Sequence, residues 1–266
     1  MCTTCGCGHH PHTGQEPLAH ASPEAVRRVA VMEDMLARND ACAARLRTYF
    51  ETNGILTLNF VSSPGAGKTT VLARLIEEMG GTKAPVTVIE GDQQTENDAR
   101  RIRAAGARAI QINTGHGCHL EAERVATAVL ELNPPEHSCL FIENVGNLVC
   151  PAEFDLGEAH KVVVLSVTEG DDKPLKYPDM FAVADLMVLN KVDLIPWVNF
   201  DMDVCEANAR RVNPRIEMLR VSAETGEGMA ALKAWVLCEL ARVKAKKCDK
   251  NVSLSHQVRK SGDEGG

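Results

Sequence analysis

Three things are missing from this 266-residue chain. It has no long basic run, and 36 acidic residues outnumber 29 lysines and arginines to give a net charge of −7. The positive surface that a nucleic-acid binder needs is therefore lacking. It has no stretch approaching the roughly 18 uninterrupted apolar residues of a membrane span, and no signal-peptide apolar core at its start. It also has no internal repeat. These absences exclude nucleic acid and membrane as partners, and the expectation is a cytoplasmic protein. Apolar content of 44% and charged content of 24% are ordinary for a globular domain with a buried core. Cysteine is not scarce: there are ten, which in a reducing compartment read as ligands, nucleophiles or core residues rather than disulfides. Cys42, Cys139, Cys205 and Cys238 sit in apolar helix or strand patterns and are expected to be small buried hydrophobes.

Residues 1–21 are rich in Gly, His, Pro and Cys without periodicity, and are expected to form a flexible arm. Ser22-Pro23-Glu24 reads as a helix start. Helically spaced apolar residues then run through Val26, Val29, Met32, Met35, Leu36, Cys42, Leu46 and Phe50. A break into two helices is expected near Asn39-Asp40, and Asn53-Gly54 supplies the stop. This lead-in covers residues 22–54. From Ile55 the pattern changes to short apolar runs separated by amphipathic helices. The runs are Ile55–Val61, Val86–Glu90, Arg108–Ile112, Cys139–Glu143, Val162–Val167, Leu186–Leu189 and Ile216–Val221. Near-continuous apolar runs suit strands buried on both faces, and the intervening helices imply right-handed crossovers. The expected fold is α/β, a mostly parallel sheet of about seven strands flanked by helices over residues 55–244. Residues 245–266 are polar and patternless, and are expected to be a disordered tail. In such sheets ligands bind at the carboxyl ends of the strands.

Directly after the first run comes SSPGAGKTT, residues 62–70, opening the helix VLARLIEEM. This is a phosphate-binding loop in its strand–loop–helix setting. Backbone N–H groups around Gly65, Ala66, Gly67 and Thr70 would cradle phosphates, Lys68 would reach the β- and γ-phosphates, and the Thr69 hydroxyl would bind Mg²⁺. Ser62 replaces the usual first glycine, which is acceptable if it still ends the strand. Asn190-Lys191-Val192-Asp193 follows another run. The Asp193 carboxylate can accept two hydrogen bonds from guanine N1–H and N2–H₂, which adenine cannot supply. Lys191 would lie along the base, and Ser222-Ala223 after the last run would sit over guanine O6. The nucleotide is therefore GTP or GDP. Asp92 follows the second apolar run and Glu143 ends the fourth, and both would reach the phosphate region. With Thr69 they are the candidate Mg²⁺ ligands; the alternative, a carboxylate capping the start of a loop, is open for Asp92 and less so for Glu143. Glu143-Asn144-Val145-Gly146 resembles the DxxG box of GTPases, with Gly146 as γ-phosphate sensor. Lys68, Asp92 and Glu143 are the candidate catalytic residues. No arginine finger or catalytic glutamine is evident, so slow hydrolysis is expected.

A second group of residues has metal-ligand chemistry. NTGHGCHL puts Cys118 and His119 at the end of the third run, and Cys150 lies four residues beyond Gly146. Two thiolates and an imidazole form an incomplete shell for Ni²⁺ or Zn²⁺, which a second subunit could complete. His116 is either a further ligand or a loop residue. Asn147-Leu148-Val149 links the sensor to Cys150, so nucleotide state and metal affinity would be coupled. At the N-terminus Cys2, Cys5 and Cys7 could fold around a soft divalent ion. On residues alone zinc suits that site as well as nickel, with a zinc knuckle or plain reactive cysteines as alternatives.

Together SSPGAGKTT, EGDQQTENDA, NTGHGCHL, FIENVGNLVCP, EGDDKPLKYP and LNKVDL make the chain similar to the HypB family, the GTPases that help insert nickel into [NiFe] hydrogenase. The resemblance implies a P-loop NTPase fold that dimerises with nucleotide and metal. It implies a labile nickel or zinc site at Cys118, His119 and Cys150, and a tight nickel site at Cys2, Cys5 and Cys7. His9, His10, His12 and His20 form a short histidine tract, of which His9, His10 and His12 would be weak auxiliary or storage ligands. The implied partners are a HypA-type nickel metallochaperone and, indirectly, the hydrogenase large subunit. The function expected is a GTP-hydrolysing nickel chaperone with metal release gated by nucleotide. The alternatives are a nickel or zinc store with a dispensable nucleotide site, and a sister GTPase serving urease or a cobalamin enzyme.

Overall fold

A computed structural model describes residues 23–92, 97–115 and 117–262, with side chains described over 31–91, 97–115 and 117–247. The expectations placed on Cys2, Cys5, Cys7, His9, His10, His12, His20 and His116 lie outside the described residues, as does the side chain of Asp92. Two compact units are distinguished, Met1–Ala37 and Arg38–Gly266. Within the first, Val31, Met32 and Met35 are exposed.

All seven apolar runs are strands: β1 (Leu56–Ser62), β2 (Val86–Asp92), β3 (Arg108–Asn113), β4 (Cys139–Gly146), β5 (His160–Ser166), β6 (Leu186–Asn190) and β7 (Glu217–Arg220). They form one parallel sheet in the order β3-β2-β4-β1-β5-β6-β7. The helices are α1 (Pro23–Asn53), α2 (Lys68–Met79), α3 (Asn97–Ala104), α4 (Ala122–Leu132), α5 (Cys150–Glu153), α6 (Lys173–Lys176), α7 (Pro178–Val183), α8 (Met202–Val212) and α9 (Met229–Gly262). Period-two alternation divides each central strand between two cores. Leu56, Leu58 and Phe60 pack with α2 and α9 residues such as Leu72, Leu75, Leu232 and Val236. On the opposite face Ile55, Ile89, Leu140 and Ile142 meet Leu46 and Phe50 of α1 and Val125 of α4, while Val163, Leu165 and Met187 meet Phe181 and Cys205. Each fully buried side chain of this size contributes about 1.5–3 kcal/mol. β1 is flanked by β4 on one side and β5 on the other, so the direction of winding reverses at its carboxyl end. That is where a ligand crevice is expected.

Four details differ from expectation, each for a physical reason. α1 does not break at Asn39-Asp40. The Asn39 side chain is spent on distant backbone, donating to Asp155 O at 2.8 Å and accepting from Ala122 N at 2.8 Å, rather than on capping. β4 continues past Glu143 to Gly146, because Ser62 pairs with Gly146 after a register shift between Phe60 and Ser62. Cys238 is exposed, since Leu232, Val236 and Leu240 set the buried stripe of α9 and Cys238 falls between their turns. Finally, α9 runs on to Gly262, through a Lys-, Ala- and Arg-containing stretch with no proline to stop it.

Gly157 connects α5 to β5 at φ +79°, and a Cβ there would lie 2.7 Å from Ala43 O and 2.8 Å from Leu46 Cβ of α1. Both the left-handed backbone and the close helix require glycine. Gly157→Ala is expected to cost about 3 kcal/mol, read as a lower thermal unfolding midpoint with the fold retained by circular dichroism.

Candidate functional site

The loop Ser62–Thr70 wraps the carboxyl end of β1, and Ser62 ends the strand as its substitution for glycine requires. Gly67 caps α2 at φ +91°, where a Cβ would sit 2.6 Å from Asn190 Nδ2. That approach is used: Asn190 donates Nδ2 to Ala66 O at 3.0 Å and accepts from Ala223 N at 3.3 Å. Lys191, itself at φ +64°, donates Nζ to Gly65 O at 2.7 Å. One asparagine therefore ties together three segments, the phosphate loop 124 residues before it, the Asn190–Asp193 box that contains it and the Ser222-Ala223 turn 33 residues after it.

Beside the loop is a cleft of about 500 Å³ bordered by Gly65, Gly67, Lys68, Thr69, Glu143 and Gly146. Thr69 Oγ1 donates to Glu143 Oε1 at 2.6 Å, and Lys68 Nζ stands 3.6 Å from the same oxygen. Burial pushes the Glu143 carboxyl up, and the Lys68 ammonium and Thr69 hydroxyl pull it back. Glu143 Oε2 is buried without a hydrogen-bond partner. Thr69 and Glu143 thus offer two hard oxygens, the donor chemistry that Mg²⁺ takes. Asp92 ends β2 opposite Asn113. A smaller space of about 270 Å³ adjoins, lined by Gly67, Thr70, Asn190, Lys191, Asp193 and Ala223. There Asp193 Oδ1 is buried and unpaired, an acceptor that suits the N–H groups of a guanine edge.

Cys118, His119 and Cys150 come together, their ligand atoms all within 4.8 Å of one another. The two Sγ atoms are 2.8 Å apart, and Cys118 Sγ lies 3.5 Å from His119 Nδ1. Burial lowers the His119 pKa, partly offset by Glu121 and Glu153, which favours the neutral imidazole that binds metals. Soft sulfur and imidazole donors fit nickel or zinc and not magnesium.

Several residues at the site escape sequence reading. Phe154 stacks on His119 with ring centroids 3.8 Å apart and planes inclined by 27°. Glu90 is buried and pairs in register with Glu143. The buried Lys161 donates Nζ to Pro151 O at 2.8 Å, holding the short helix that begins at Cys150. Arg101 of α3 donates to Thr70 Oγ1 at 3.0 Å. No motif marks these positions; an arginine in the amphipathic pattern of α3 reads simply as a solvated residue.

The family description "CobW/HypB/UreG, nucleotide-binding domain" matches residues 56–220. The hydrogenase maturation factor HypB of Rhizobium leguminosarum is 63% identical over 216 residues, 81% of this chain and 72% of that protein. The protein of the same name from Escherichia coli is 48% identical, covering 89% of this chain and 98% of its own length. The crystal structure of HypB from Helicobacter pylori in complex with nickel superposes with a TM-score of 0.71 at 37% identity, covering 77% of this chain and 96% of that one.

Thr70 borders both the larger cleft and the smaller base-side space, and Arg101, bonded to it, lines the larger cleft. Arg101→Ala is expected to weaken GDP and GTP binding by a common factor of about 10, the loss of one charge-assisted bond. Calorimetric titration with each nucleotide checks that the two factors are equal.

Proposed function

The chain belongs to the HypB hydrogenase maturation factors, and from that premise we propose that it is a GTP-hydrolysing nickel chaperone for assembly of the [NiFe] hydrogenase active site, releasing metal in response to nucleotide state. In this reading the loop amides from Gly65 to Thr70 and the Lys68 ammonium hold the phosphates. Asp193 selects guanine, aided by Lys191, Asn190, Ser222 and Ala223. Thr69, Glu143 and Asp92 would hold Mg²⁺, which neutralises charge on the β- and γ-phosphate oxygens when bound. Glu143, held between the Lys68 ammonium and the Thr69 hydroxyl, would help hold that ion and orient the attacking water. The nickel is cargo. It sits on Cys118, His119 and Cys150, with the Cys2, Cys5 and Cys7 group as a separate, tighter store, and zinc is the competing ion.

The observation that supports gating most directly is a short piece of backbone. Gly146 is in register with Ser62 at the start of the phosphate loop, and only three residues separate Gly146 from Cys150, whose sulfur lies 2.8 Å from that of Cys118. A γ-phosphate that draws the Gly146 amide toward itself acts on the metal group through those three residues. Coupling of this kind is reciprocal, so metal occupancy also shifts nucleotide affinity. Three donors leave one position of a four-coordinate ion open. A second copy of the chain, associating when nucleotide and metal are bound, would fill it, and a HypA-type metallochaperone is the exchange partner for the cargo on its way to the hydrogenase large subunit.

Lys68→Ala is expected to reduce GTP hydrolysis by at least about 100-fold and to abolish hydrogenase maturation in cells; intact maturation would favour a metal store with a dispensable nucleotide site. Cys150→Ala is expected to weaken metal binding at the inner site by about 100-fold and to leave it with equal affinity in the GDP and GTP states, measured by Ni²⁺ and Zn²⁺ titration of each form.

A further inference from the structure

The turn around Gly146 touches the metal group at more points than the chain connection to Cys150 requires. Two residues before Gly146, Asn144 accepts the Leu120 N–H on Oδ1 at 3.2 Å. One residue after it, Asn147 donates Nδ2 to the Cys118 carbonyl at 3.2 Å. The two bonds land on either side of His119, so the turn grips the Cys118–His119–Leu120 segment at both ends. The two asparagines differ in freedom. Asn144 is fully buried, and its Nδ2 is fixed to Asn59 Oδ1 at 3.2 Å, which makes it a post. Asn147 is half-buried and lies beyond the last strand residue. Its Oδ1 accepts the Val149 N–H at 2.9 Å, directly before Cys150, and its own N–H bonds to Val145 O at 2.8 Å.

One planar amide therefore spans both thiol-bearing segments: its oxygen holds the strand of chain leading to Cys150, its nitrogen the backbone of Cys118. We infer that Asn147 is the positioning residue that transmits nucleotide state to the metal group, by setting the spacing of the Cys118 and Cys150 sulfurs. An amide is rigid, so a displacement of backbone at Gly146–Asn147 turns the whole plane. With Leu120 pinned by Asn144, that turn changes the Cys118–Cys150 separation instead of carrying the group along as a unit. A link through Asn147-Leu148-Val149 alone would move one sulfur; the amide bridge moves both against each other. Metal affinity depends on donor spacing within a few tenths of an ångström, so the bridge converts a small movement into an affinity change. This inference rests on the nucleotide-gated reading above.

Asn147→Asp separates the bridge from the local cap. It keeps an oxygen for the Val149 N–H but removes the donor to the Cys118 carbonyl; Asn147→Ala removes both without adding charge. All arms use the full-length chain with Cys2→Ser, Cys5→Ser and Cys7→Ser, so that only the inner site titrates. Ni²⁺ and, separately, Zn²⁺ are titrated in the presence of GDP and of a non-hydrolysable GTP analogue. The parent is expected to show an affinity ratio between the two states of about 5- to 150-fold. Both variants are expected to bring that ratio within about twofold of unity, with metal-free nucleotide affinities unchanged, and to lose the reciprocal effect of metal on nucleotide binding by the same factor. Variants that bind metal more weakly in both states but keep the parent ratio would make Asn147 a mere support and overturn the inference. Variants identical to the parent would overturn it as well. A parent with no ratio at all would instead remove the gated reading, and the inference with it.

Discussion

A chain of buried polar groups running across three strands fixes the geometry on which the rest of the site depends. Asn144 of β4 donates to Asn59 of β1 at 3.2 Å, Asn59 donates to Glu158 Oε1 at 3.0 Å, and Glu158 pairs with Lys161 of β5 at 3.6 Å. All four residues are buried, where an unpaired polar atom costs about 1–3 kcal/mol and an unpaired charge more. Each is therefore held by its neighbour. The free ends of the chain reach outward: Asn144 Oδ1 to Leu120 N, Glu158 Oε2 to Leu156 N at 2.7 Å, and Lys161 Nζ to the carbonyls of Pro151 and Phe154. Both segments with metal-ligand chemistry, one after β3 and one after β4, thus hang from the same rigid line beneath the sheet's carboxyl edge.

The phosphate cleft is arranged by the same means at a different strand. Asn190 bonds to the phosphate loop and to the Ser222-Ala223 turn together, so the surface read as phosphate-binding and the surface read as base-reading move as one body. Charge is balanced closely there. Lys68, Arg101 and Lys191 stand with Glu90, Asp98 and Glu143 around one cleft, so its cations are offset by nearby carboxylates. Burial drives the Glu143 carboxyl upward against the pull of Lys68. A carboxylate poised in that way responds strongly to any cation placed beside it.

Much of this was legible in the residues. All seven strands appear as apolar runs because a strand covered on both faces has no room for a polar alternation. Ser62–Thr70 was legible because a phosphate loop needs particular residue types at fixed spacing. The failures have a common origin in tertiary contact. Asn39 looks like a helix breaker until its side chain is seen bonded to Asp155 and Ala122. Cys238 looks like a core residue until the phase of α9 against the sheet is known. Phe154, Arg101 and Asn147 matter through partners 35, 31 and 29 residues away, a relation no local pattern records.

The sequence by itself showed which donor types were available, since thiols and imidazole have soft-ligand chemistry and a carboxylate can accept two neighbouring N–H groups. It also determined their order along the chain and the parallel α/β class, through hydrophobic periodicity. Tertiary structure alone decided the distances: that Cys118 and Cys150, 32 residues apart, bring their sulfurs to 2.8 Å, and that one asparagine amide stands between them and the phosphate turn. Periodicity is a property of neighbours in the chain, whereas a spacing between loops is set by strand order and by the buried hydrogen bonds that lock it.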